Sequence, residues 1–311
     1  MSLLVVGSVA LDSLETPFGR REEILGGSAS YFSTCAGFFG PTRVVAVVGE
    51  DFPEEHLRFL ASRGADLAGL VRLPGRTFRW KGRYEFDLNT AQTLETQLNV
   101  LADFRPVLPP AWRSTEFVFL GNIDPDLQLS VLDQVTAPRF VACDTMNFWI
   151  DSKRESLLRT LKRVDLLFVN DAEARQLAGE HSVVKAARTI LGYGPRAVVV
   201  KRGEYGSLFF SGDEVFAASA FPIPDVFDPT GAGDSFAGGF MGYVARHGSV
   251  EPAVLRRAIV VGSVVASFAV EQFSLDRLRT LTASEIMARY AEARRLATFE
   301  ALEPELFAPG R

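Results

Sequence analysis

The chain has 311 residues, 47% of them hydrophobic and 23% charged, enough apolar material for a large buried core. A net charge of −5 leaves no basic footprint for nucleic acid or an anionic membrane, so neither is an expected partner. Two cysteines in apolar segments and three scattered histidines make neither a disulfide framework nor a metal-ligand pattern, which fits a reducing cytoplasm.

The opening Met1 to Gly7 has no basic n-region, and no uncharged apolar run of about 18 residues follows. Residues 3 to 7 read as a buried strand, and Asp12 is expected in the loop at its carboxyl end, where ligands of parallel sheets gather. Gly26-Gly27 then precede a helix that Ser28 caps and Gly40 ends. Arg43 to Val48 is a strand and Phe52 to Arg63 a helix, a rhythm typical of a parallel sheet. Ala68 to Leu73 and Arg76 to Phe86 break it: joined at Pro74-Gly75, they predict an antiparallel hairpin that, with residues 14 to 25, covers one side of the body. Strands at 117–120, 140–143, 166–169 and 197–200 follow, with helices near 124–134, 151–163 and 171–191 between them. Two more strands are expected within Leu208 to Phe221, then helices at 234–247, 251–271 and 283–298. The simplest reading is one α/β domain over 1–311, with a lid formed by roughly 13–26 and 67–100.

Asp228-Pro229-Thr230-Gly231-Ala232-Gly233-Asp234-Ser235 opens into the small-residue helix Phe236 to Val244. A glycine turn at a helix N-terminus presents free N–H groups and the positive end of the dipole, which suits an anion. Walker A is excluded because none of the five lysines follows a glycine, and the dinucleotide fingerprint fails at Phe236. An anion hole with a carboxylate in the first helical turn remains. If Gly231, Ala232 and Gly233 hold a phosphoryl group, Asp234 can take a proton from an attacking alcohol, and the helix N-terminus is expected to keep it ionised.

This octapeptide and the Phe236-Ala237-Gly238-Gly239-Phe240 that follows it closely resemble the C-terminal signature of the ribokinase-like, or PfkB, carbohydrate kinases. Gly7 to Asp12 is similar to the family's first-strand substrate segment, and Gly26-Gly27 with its helix to the N-terminal signature. Asn170-Asp171-Ala172-Glu173 resembles the Asn-x-x-Glu element, and Lys201 to Gly206 the loop that borders the nucleotide. The resemblance implies a three-layer α/β sandwich with a central, mostly parallel sheet and a small β-sheet lid. It makes Asp234 the base and Gly231, Ala232 and Gly233 the anion hole. Asp12, Gly26, Gly27, Tyr31 and Asp228 would contact the substrate, with Asp228 also a candidate for a monovalent cation such as potassium. Asn170 and Glu173, through water, would organise Mg2+ and ATP, and Lys201, Gly203 and Gly206 would border the nucleotide.

Tyr31 stands where the family usually has Asn, and Asp144-Thr145-Met146-Asn147 where it has an Asp-Pro-Asn-like segment. The leading expectation is ATP-dependent phosphorylation of a small sugar or sugar derivative. The alternative is a nucleoside kinase, with Tyr31, Phe32, Trp80 or Trp149 stacking on a nucleobase or sugar face. A third reading is a non-catalytic ligand-binding homologue. The resemblance also suggests a homodimer formed through the lid.

Overall fold

Leu3 and Val5 point to one side of their strand and Leu4 and Val6 to the other, and all four are buried. A strand apolar on both faces needs cover on both, which dictates a sheet between two helical layers. The computed structural model describes residues 2–86, 88 and 91–303; residue 1, positions 87, 89 and 90 of the expected lid segment, and residues 304–311 lie outside the described residues.

The first half of the chain forms β1 (Leu3–Val6), β2 (Ala10–Thr16), β3 (Gly19–Gly26), α1 (Ser28–Ala36), β4 (Thr42–Gly49), α2 (Glu54–Ser62), β5 (Ala65–Leu73), β6 (Arg79–Tyr84) and β7 (Ala91–Gln97). There follow β8 (Phe117–Leu120), α3 (Pro125–Leu132), β9 (Phe140–Asp144), α4 (Asn147–Ser152), α5 (Arg154–Leu161), β10 (Leu166–Asn170), α6 (Asp171–Ala178), α7 (Val183–Leu191) and β11 (Ala197–Lys201). The chain closes with β12 (Ser207–Ser211), β13 (Glu214–Ala218), α8 (Ala232–His247), α9 (Pro252–Ala269), α10 (Asp276–Thr280) and α11 (Ala283–Leu296).

Nine strands make the central sheet in the order β13-β12-β11-β10-β9-β8-β1-β4-β5, parallel throughout except for the antiparallel pairs of β12 with β11 and β13. One face packs on α1, α8 and α9, and the other on α3, α5, α6 and α7. The expected α/β sandwich is therefore the observed one. A separate four-stranded sheet, β3-β2-β6-β7, stands beside it.

Four local expectations are corrected. Ala68 to Leu73 belongs to β5, which pairs in parallel with β4 at the edge of the central sheet, so no hairpin forms with Arg76 to Phe86. Instead β6 lies parallel to β2 and antiparallel to β7. Asp12 is not in a loop but within β2. Gly27, not Ser28, caps α1, which ends at Ala36 rather than Gly40, and Ser28 Oγ accepts from the Ser8 amide at 3.1 Å. The single helix expected over 171–191 breaks at Gly179, whose left-handed φ of 69° ends α6.

The small residues of α8 have a packing cause. A Cβ on Gly239 would lie 3.2 Å from Gly262 Cα of α9, while Gly238 touches the backbone of α1 on the other side. Cys35 of α1 and Cys143 of β9 are both free and fully buried, and burial raises both thiols, Cys35 to about 12. By length and composition α9 could cross a membrane, but its apolar residues pack on α8 and the sheet, with Val261, Val264, Val265 and Phe268 in the core.

Candidate active site

The turn before α8 is built by its glycines and by Asp228. Gly231 is left-handed (φ 73°), a conformation that costs other residues about 1–2 kcal/mol, and the Tyr31 ring lies where its Cβ would be. Asp228 is fully buried and ties two segments: its Oδ1 accepts from the Thr230 amide at 2.9 Å and its Oδ2 from the Ser274 amide at 2.8 Å. The Ala232 amide is taken by Pro229 O at 3.2 Å. Among the described residues the amides of Gly231 and Gly233 have no acceptor, so two of the three expected donors stay free for an anion.

Asp234, in the first turn of α8, sits next to these amides. Its pKa is raised to about 7, chiefly by burial and then by Asp144, against the lowering effect of Lys201 and its own amide. The expectation that the helix N-terminus keeps Asp234 ionised as a modest base is thus corrected, because desolvation outweighs the dipole. A carboxylate poised near neutrality is a stronger base than an ordinary one.

Three parallel strands deliver their last residues to the same place: Asp144 from β9, Asn170 from β10 and Lys201 from β11. Register sets Asn170 beside Lys201. Lys201 Nζ is 2.8 Å from Asp144 Oδ2, and a Cβ on Gly233 would lie 2.8 Å from the same nitrogen, so the ammonium stands at the anion turn. Burial would lower the Lys201 pKa, but Asp144 and Glu173 together raise it, and the side chain remains charged.

Asn170 and Glu173 form a reciprocal cap of α6. Asn170 Oδ1 accepts from the Glu173 amide at 2.7 Å, and Glu173 Oε2 accepts from the Asn170 amide at 2.8 Å. The Asn170 backbone amide therefore holds the Glu173 carboxylate in place, while the Asn170 side chain fixes the Glu173 backbone. Burial lifts Glu173 to about 7, with Lys201 lowering and Asp144 raising it.

On the second sheet, Asp12 packs directly over Gly26, where any side chain would displace it. The register places Asp12 opposite Trp80, so that Asp12, Trp80, Gly82 and Tyr84 share the inner face. Burial and the nearby Asp228 raise the Asp12 pKa to about 8, opposed by the Gly27 amide. Thr230 Oγ1 donates to Tyr84 OH at 3.3 Å, a direct contact from this sheet to the anion turn. Tyr31 is buried, and among the described residues its hydroxyl has no hydrogen-bond partner.

Asp12, Gly26, Gly27, Tyr31, Asp228, Gly231, Ala232, Gly233, Asp234, Asn170, Glu173 and Lys201 thus converge. Gly203 and Gly206 shape the loop after β11, both at positive φ, with the Arg202 amide donating to Gly206 O at 2.8 Å. Of the aromatics, Phe32 is not available to a ligand: it stacks on Phe119 at 4.3 Å inside the core. Trp149 donates to Asn122 Oδ1 at 2.9 Å. Sequence reasoning gave no role to Asp144 or Tyr84. The placement of Asp144 at a strand's carboxyl end was a usable signal, whereas nothing local marks Tyr84.

A free-amide turn, a poised carboxylate and a lysine gathered at the carboxyl ends of a parallel sheet suit phosphoryl transfer to an alcohol. The chain belongs to the pfkB family of carbohydrate kinases, whose profile matches residues 19–278, and it is an ATP-dependent phosphotransferase. It is 33% identical over 259 residues to a cytidine kinase of Thermococcus kodakarensis, covering 82% of this chain and 92% of that one. It is also 28% identical over 286 residues to a nucleoside kinase of Methanothermobacter thermautotrophicus, covering 86% and 89%. Its fold matches that of a Burkholderia thailandensis nucleoside kinase in complex with inosine, with a TM-score of 0.77, 20% identity and coverage of 94% and 98%.

Proposed function

We propose that the phosphate acceptor is a nucleoside rather than a free sugar. The observation that carries this reading is the inner face of the small sheet, where Asp12 and Trp80 are register partners. A carboxylate accepts hydrogen bonds from sugar hydroxyls, and a neighbouring indole offers an apolar ring for the base. Similarity to a cytidine kinase and a nucleoside kinase over most of the chain supports it.

In the proposed reaction the small sheet acts as a lid over the acceptor. Asp234 removes the proton as the alcohol oxygen bonds to the γ-phosphorus of ATP; the bond from that phosphorus to the β–γ bridging oxygen breaks, and ADP leaves with those electrons. The free amides of Gly231 and Gly233 face the charge that builds on the phosphoryl oxygens, and Lys201 adds a positive charge beside them. These donors fit a phosphate chain, and a Cβ at Gly233 would intrude on Lys201. Glu173, held by Asn170, is the residue we assign to magnesium through water; the bound ion would neutralise charge on the phosphates.

Initial rates of ADP release with cytidine, uridine, adenosine, inosine, ribose and fructose test the acceptor. At least one nucleoside is expected to exceed both sugars in kcat/KM by roughly 10²-fold or more, a difference that base stacking and displaced water can supply together. A free sugar as the best acceptor would return the assignment to the carbohydrate reading.

A further inference from the structure

Asp144 sends one oxygen to the Thr145 amide at 2.8 Å and the other to Lys201 Nζ at 2.8 Å. The two side chains are 6% and 18% exposed, so water screens the pair weakly. The same ammonium stands beside the free amide of Gly233. The other charged groups facing it are Glu173 and Asp234. A cation resting on a carboxylate at the rim of an anion hole has two partners to choose between.

Resting on the reading of the turn as the phosphate site and of Asp234 as the base, we infer that Asp144 is a positioning residue for phosphoryl transfer. It holds Lys201 at the rim of the anion hole until an arriving phosphate chain takes the ammonium over. The lysine is never left without a counter-charge, and Asp144, released from the ammonium, keeps the Thr145 amide as a hydrogen-bond donor. After the exchange Asp144 remains as a negative charge near Asp234, where it strengthens that carboxylate's hold on the proton it takes from the alcohol at the moment of transfer. Burial and then the charge of Asp144 raise the Asp234 pKa.

Wild type, Asp144→Asn, Lys201→Met and the double variant separate this role from simple bracing. In calorimetric titration with Mg-ATP alone, Lys201→Met is expected to weaken binding by about tenfold or more, the usual scale for losing a buried charged contact. Asp144→Asn should bind Mg-ATP as tightly as wild type or more tightly, since the competitor for the ammonium is gone, and the double variant should match Lys201→Met. In pH–rate profiles the acid limb should move to lower pH in Asp144→Asn and to higher pH in Lys201→Met. Equal weakening of Mg-ATP binding by both single variants, or wild-type binding by Lys201→Met, overturns the proposal. The double variant removes both charges at nearly constant volume and guards against misfolding around a lone buried ion. Because the titration contains no acceptor, a wrong nucleoside assignment leaves its result intact, whereas failure of wild type to bind Mg-ATP would undo the phosphate-site reading itself.

Discussion

Asp234 is the base we propose, and its environment sets the pH at which it would work. With a pKa raised to about 7, it is protonated and inactive as a base below neutrality, so kcat/KM should climb tenfold per pH unit below 7 and level off above it. Asp234→Asn should lower kcat by roughly 10²–10⁴-fold, the span typical of a lost general base, with Mg-ATP affinity little changed. Gly231→Ala should be nearly as damaging for a different reason: it forces an alanine into φ 73° and into the Tyr31 ring, and a lower thermal midpoint should accompany the lost activity. The identity of Asp234 was legible because its turn is contiguous in sequence. Its shifted pKa was not, since Asp144 and Lys201 arrive from distant strands and the burial that dominates is a property of the assembled site.

At the level of elements, the small sheet closes on the turn through Tyr84 and Thr230. Tyr84→Phe keeps the ring and deletes that bond, a loss of about 0.5–1.5 kcal/mol, and should raise the acceptor KM by up to about tenfold with kcat nearly unchanged. An unchanged KM would mean that the contact does not contribute to acceptor binding. The misread hairpin shows where sequence reasoning fails. Ala68 to Leu73 has the composition of a strand, but which sheet receives it depends on pairing with Val45 to Gly49, and residues adjacent in sequence say nothing about that register. β1, β8 and β10 were legible for the opposite reason, because a short run apolar on both faces can only be a central strand. The break in the helix at 171–191 was signalled by Gly179, a residue that ends a helix readily when it turns left-handed.

For the whole molecule, the site gathers carboxyl groups whose charged forms burial disfavours. Asp12 at about 8, Asp234 at about 7 and Glu173 at about 7 all bind protons more tightly in the folded chain than in the unfolded one. Stability from these groups is fully present below their unfolded values near pH 4 and is lost as pH rises through 7 to 8. The thermal midpoint of the ligand-free protein should therefore fall between pH 5 and pH 8, and Asp12→Asn should flatten the slope. A midpoint that rises across this window would contradict the burial described. The three layers were legible as a class because the alternation of strand and helix allows few arrangements; the convergence of four distant segments on one turn was legible only through a resemblance. The two buried thiols have a practical consequence. With Cys35 and Cys143 buried in the core and Cys35 raised to about 12, neither thiol is expected to react with maleimides under native conditions. A single cysteine placed at Phe86, which is 95% exposed near the end of β6, would then be the one site to take a fluorophore, so that movement of the small sheet can be followed by light without removing a native residue from the core.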